Sequence, residues 1–208
     1  MNMLRSLVAV SLLGVSTLAA ADPQSYTNLE LSLGRQGNVF LDGGVSYRIA
    51  GSYDLSDTFY VFGQYSKNTF GDFSNSQSGL DAKQTNFGVG LGMHSAVADS
   101  ADWVVRFSLN RNKAETDISS SQHTGYDLGT GFNTAITTGL ELSTFIDHTN
   151  AGTDATTGLP SNISASSGET ILSTGIHAQV GKNLDFGVAE EFSSIAQNRL
   201  LLSLRWDF

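Results

Sequence analysis

Along most of its length this chain alternates apolar and polar residues with a period of two. The C-terminal stretch shows it best: Leu200, Leu202, Leu204, Trp206 and Phe208 share one face, and Leu201, Ser203, Arg205 and Asp207 share the other. Trp103, Val105, Phe107 and Leu109 alternate with Val104, Arg106, Ser108 and Asn110, and Phe87, Val89, Leu91 and Met93 alternate with Gly88, Gly90 and Gly92. The same pattern runs through Leu29–Gly34, Gly44–Ala50, Ile136–Asp147 and Leu172–Val180. A helix would repeat near every 3.6 residues, so the chain is built of strands.

The segments are about 10–13 residues long, whereas soluble strands average about 5–6. A tilted strand of about ten residues crosses a bilayer's hydrocarbon layer. One face of each segment is apolar, and the other carries glycine, serine or charge. The apolar face therefore looks at lipid and the polar face looks into a narrow interior. The competing arrangement, a soluble sandwich, would bury the apolar faces and protect its sheet edges with charge or proline. An open edge in lipid leaves backbone groups unpaired, so the sheet must close.

Ten segments are expected, at 27–36, 39–50, 57–67, 83–94, 101–112, 121–132, 134–147, 169–180, 184–193 and 198–208; eight strands are the alternative. The fold class is thus all-β: a closed antiparallel transmembrane barrel with up-and-down order. Tight turns are expected at Gly51–Ser56, Ser95–Ser100, Asn133 and Gly181–Asn183. The longer connections, at 36–38, 68–82, 113–120, 149–168 and 194–197, alternate with them. Periplasmic turns are short and outer loops long in membrane barrels, so both chain ends face the periplasm.

Residues 1–21 carry a basic start, an apolar stretch and Ala19-Ala20-Ala21, the pattern of a secretory signal cleaved after Ala21; residues 22–208 form the barrel domain. The apolar stretch is short for a membrane span. The chain has no cysteine, which excludes disulfide scaffolds, cysteine-ligated metals and thiol catalysis. A net charge of -9 gives no basic stripe for nucleic acid.

Glu30, Arg48, Arg106, Glu141, His177, Asp185, Glu191 and Arg205 fall on the inward face. Opposite signs sit on different strands, so pairs are expected to cross the interior, because an unpaired charge there is costly. Tyr26, Tyr47, Phe59, Trp103, Phe132, Trp206 and Phe208 lie near strand ends, where rings form girdles at the headgroup level. His94-Ser95, Asp147-His148 and His123 are read as polar strand-end residues, since neighbours on a strand point to opposite faces. Asp117, Asp147 and Asp154 lack calcium-loop spacing, so neither metal nor cofactor is expected.

Leu202, Leu204, Trp206 and the terminal Phe208 resemble the C-terminal signature of bacterial outer-membrane barrels. Gly43-Gly44-Val45-Ser46-Tyr47 and the stretch Asp57–Ser66 resemble small Gram-negative outer-membrane barrels of the OmpA/OmpX type, here without a periplasmic domain. The resemblance implies an outer-membrane location, lipid and lipopolysaccharide as surroundings, and a last strand read by the barrel-assembly machinery. A monomer is expected. The role expected is structural, or interaction with a surface ligand through the outer loops. A narrow pore or transporter for small solutes is the alternative, and a membrane-embedded enzyme a third class. The faint likeness of Asp147-His148 to the acid–histidine pair of outer-membrane proteases fails on strand geometry and chain length.

Overall fold

The structure, a computed structural model, describes residues 26–36, 44–70, 82–116, 119–151, 168–194 and 198–208. The expected signal segment, the start of the second expected strand, Asp117, Asp154 and most of the long connections lie outside the described residues. Ten strands follow in order: β1 (Asn28–Gln36), β2 (Val45–Asp54), β3 (Phe59–Phe70), β4 (Ala82–Ala98), β5 (Ala101–Thr116), β6 (Ser119–Thr137), β7 (Leu140–Ala151), β8 (Glu169–Gly181), β9 (Leu184–Ser193) and β10 (Arg199–Asp207). Each pairs antiparallel with its neighbours in sequence, and β1 pairs with β10 from Asn28↔Asp207 to Gln36↔Arg199. That last pairing closes the barrel and leaves no edge.

Burial is inverted relative to a water-soluble protein. Leu33 is 66% exposed and Leu91 58%, while Asn110 and Ser108 are each 2% exposed. The apolar faces form an outer belt, and the interior is built of serine, asparagine, charge and glycine. This is the solution for a sheet whose outer solvent is hydrocarbon.

Glycine sets how the interior is filled. In one cross-strand row Arg106 on β5 pairs with Gly129 on β6, and Gly129 pairs with Asp147 on β7. Glycine in the middle lets side chains two strands apart meet over it. In another row Gly187 lies between His177 and Ser203, whose Nε2 and Oγ are 3.2 Å apart. On β4, a Cβ at Gly92 would collide with the ring of Tyr60.

The tight turns and both termini share one end. Several boundaries differ from the sequence expectation. The turn expected at Asn133 lies instead at Thr138-Gly139: β6 continues through Asn133, and Gly139 supplies the positive φ of 86° that the turn requires. The connection expected at 113–120 is mostly strand, with pairing carried to Thr116↔Ser119. Polarity there marks where the hairpin leaves the hydrocarbon, not where pairing stops. On the other side, β4 and β2 run on to Ala98 and Asp54 before turning.

Candidate functional site

The lumen holds a cavity of about 560 Å³ that extends from Tyr26 near the turns to Glu169 and Arg199 near the opposite strand ends. Its size falls in the range of small-molecule pockets, about 300–1,000 Å³. Four arginines (48, 106, 199 and 205) and six carboxylates (Glu30, Asp127, Glu141, Asp147, Glu169, Glu191) line it.

These charges are cross-linked rather than free. Arg205 reaches Glu141 by two bonds of 3.0 and 2.9 Å and Asp185 by one of 2.6 Å. Arg48 donates to Glu191 at 2.9 Å and lies 3.9 Å from Glu30, and Arg199 closes on Glu191 at 3.2 Å. His177 lies 3.8 Å from Glu30. Arg106 pairs with Asp147 and sits 4.3 Å above the Phe145 ring, a cation–π contact. Bidentate arginine–carboxylate pairs of this kind fix geometry as well as charge.

The end that carries the turns is filled by rings. Tyr26 stacks on His94 at 4.1 Å and on Tyr60 at 4.9 Å. Its hydroxyl donates to Asp102 and accepts from Asn133, both at 3.2 Å. Its backbone N–H donates to Asp54 at 3.0 Å. Burial raises the Tyr26 phenol well above the ordinary tyrosine range. Tyr26 was expected in an aromatic girdle; it is instead 7% exposed inside the mouth. Because it precedes β1, no strand alternation dictates its direction. The other girdle rings point outward, and Trp206 stacks with Phe208 at 6.0 Å.

Toward the other end, β3–β6 present amides and hydroxyls. Asn86 donates to Asn112 at 2.5 Å, Asn112 to Asn110 at 3.1 Å, and Asn110 to Asp127 at 2.7 Å. Asp127, Arg199 and Glu169 were missed in the sequence. Arg199 begins its strand, and Asp127 lies in a glycine- and threonine-rich stretch, so neither stood out against an apolar alternation. Counting back two residues at a time from Arg205, or from Gly129, would have found both.

The histidine pairs do not assemble. Asp147 turns inward to Arg106, whereas His148 faces out and meets Thr170 Oγ1 at 3.1 Å. His94 is inside, 3.6 Å from Asp102, while Ser95 is exposed outside. His123 is buried on the lumen side of β6. Among the described residues no group of three or more His, Asp or Glu side chains could hold a metal ion.

A closed ten-stranded barrel with an apolar outer belt and a polar, ion-paired lumen defines a small outer-membrane β-barrel protein of a Gram-negative bacterium. The family model of the outer membrane protein β-barrel domain matches residues 6–181, and the chain belongs to that family. A search of curated proteins finds no match. Among solved structures, the chain is similar to the NanC porin, with a TM-score of 0.54, 8% identity, and coverage of 86% of this chain and 100% of that one. It is similar to the KdgM porin in complex with disordered oligogalacturonate, with a TM-score of 0.51, 11% identity and coverage of 87% and 99%. Neisserial surface protein A matches at a TM-score of 0.46 and 13% identity, over 88% of this chain and 96% of that one. At these identities the likeness is one of fold.

Proposed function

We propose that this barrel is a closed outer-membrane protein with a structural or surface-interaction role carried by its outer loops. The observation that carries this reading is the Tyr26 ring stacked on His94 and Tyr60 in the turn-side mouth. The Arg205–Glu141–Asp185 cluster lies across the same end and supports it. Both set packed rings or paired charges across the lumen. Planar-bilayer recording of the purified barrel tests the reading, and no steady conductance is expected.

The second reading is a narrow pore. It rests on the 560 Å³ lumen cavity and on the excess of carboxylates over arginines along it, which favours cations. Steady, cation-selective conductance in the unaltered protein would sink the closed reading and establish this one. The proposal includes export by residues 1–21, with cleavage after Ala21. A mature protein beginning at Asp22, read by N-terminal sequencing, checks that step. It also includes assembly through the C-terminal strand and a monomeric state in detergent.

A further inference from the structure

Glu190 on β9 is out of keeping with a belt that faces hydrocarbon. It points outward and is exposed, and along its own strand it stands between Val188 and Phe192. In register it pairs with Leu200 on β10 and with Thr174 on β8. The next outward row toward the turns holds Leu202, Val188 and Ile176, and the next row toward the outer end holds Phe192 and Leu172. The carboxylate thus has apolar side chains above and below it. A charge at that depth is costly and is kept where something pairs with it.

The counter-charge stands in the same row. Leu200 pairs with Arg35 on β1 as well as with Glu190 on β9, so the outward row reads Glu190, Leu200, Arg35. Inside the barrel, Arg106 and Asp147 meet across one intervening strand because the wall is concave and Gly129 stands between them. Outside, the wall is convex and splays side chains apart, and Leu200 stands between. Neither Arg35 nor Glu190 bonds another described side chain. The strip between them runs down β10 as Leu200, Leu202 and Leu204, all exposed.

We propose that two copies of the barrel meet side by side in the membrane on this face, with Arg35 of each paired to Glu190 of the other across a spine of β10 leucines. A twofold axis along the membrane normal keeps both outer ends on one side and sets β1 of one copy against β9 of the other. A row with a cation on one side of Leu200 and an anion on the other is complementary to its own rotated copy, as an isologous interface requires. The long arginine side chain reaches down from the outer end of β1 to the level of Glu190. Surrounding lipid offers hydrocarbon at that depth and no cation, so it does not satisfy the carboxylate. Detergent competes for the leucine spine, so the pair belongs to the bilayer and the extracted barrel is single. The inference is independent of whether the lumen conducts.

The chain has no cysteine, so single introduced cysteines report contacts without background. L202C in intact outer membranes, oxidised with copper phenanthroline, is expected to give a disulfide-linked dimer. L128C, outward on β6 across the barrel, should not. In the L202C background, E190Q and R35Q should each lower the linked fraction about threefold to fivefold, while the unboiled band still runs as a folded barrel. E190R should lower it at least as far, and the exchange R35E/E190R should restore it, a rescue that a merely structural role for either residue would not give. If the exchange variant does not fold, E190Q and R35Q decide the matter. Absence of a linked dimer, equal linking of L128C and L202C, a linked fraction that E190Q and R35Q leave unchanged, or a folded exchange variant that stays single overturns the proposal.

Discussion

Arg106 and Asp147 meet across an intervening strand: Arg106 Nε lies 2.8 Å from Asp147 Oδ1 and Nη2 lies 2.5 Å from Oδ2. The residue between them in the row is Gly129, and a Cβ there would meet Arg106 Cγ at 3.0 Å and collide with Asp147 Oδ1. The pair exists because Gly129 has no side chain. Replacing Gly129 by valine should separate the two charges, and D147N should leave Arg106 without its counter-ion. Each should cost on the order of 2 kcal/mol, below the value for a fully buried pair because both side chains are partly exposed to the lumen cavity. Urea unfolding in detergent micelles measures both, and the double variant should cost less than the two singles added.

Tyr26 closes the turn-side mouth without being part of a strand. Tyr26→Ala removes the stacked ring while leaving every ladder bond intact. The variant should fold, shift on boiling, and show small conductance steps absent from the unaltered protein. Silence from a folded Y26A barrel would mean that the ion pairs deeper in the lumen close it by themselves.

The Tyr26 phenol, outside the spanning strands, has its pKa raised chiefly by burial. The sign follows from linkage: its contribution to stability is complete below the unfolded tyrosine pKa of about 10 and is lost as pH rises through the folded value. Spectrophotometric titration near 295 nm should therefore find this hydroxyl still protonated at pH 10. Tyr26→Phe should leave the absorbance change up to that pH unaltered, whereas a decrease in amplitude would show that Tyr26 titrates freely.

Phe208 is 69% exposed, and its backbone N–H donates to Thr27 at 3.1 Å. Its ring adds little to the folded barrel beyond stacking on Trp206. Deleting it should lower the amount of heat-modifiable protein in the outer-membrane fraction of cells severalfold. Refolding of the same variant from urea into detergent should be nearly unchanged. Equal losses in both settings would assign Phe208 to stability rather than to recognition during assembly.

Much of the barrel was legible because a strand between lipid and a lumen must alternate strictly. Leu200 to Phe208 declare their two faces in the sequence, and so do the inward positions of Arg48, Glu141 and Arg205. The legible signal weakens where the environment changes. At Lys113–Thr116 the outward face turns charged, with Lys113 and Glu115, so the apolar-out alternation ends although pairing continues. At Asn133 a turn-former serves inside a strand, because its amide satisfies the Tyr26 hydroxyl.

The sequence by itself determined the strand period, the closed membrane barrel and which face of the clearly alternating strands turns in, since those follow from local alternation and the cost of an unpaired edge in hydrocarbon. Only the tertiary structure decided which inward charges pair, that Gly129 stands between Arg106 and Asp147, that Tyr26 fills the mouth, and that Arg35 and Glu190 stand in one outward row. Those relations depend on register between strands distant in the chain. Shifting a register moves every cross-strand neighbour while leaving the pattern within each strand unchanged.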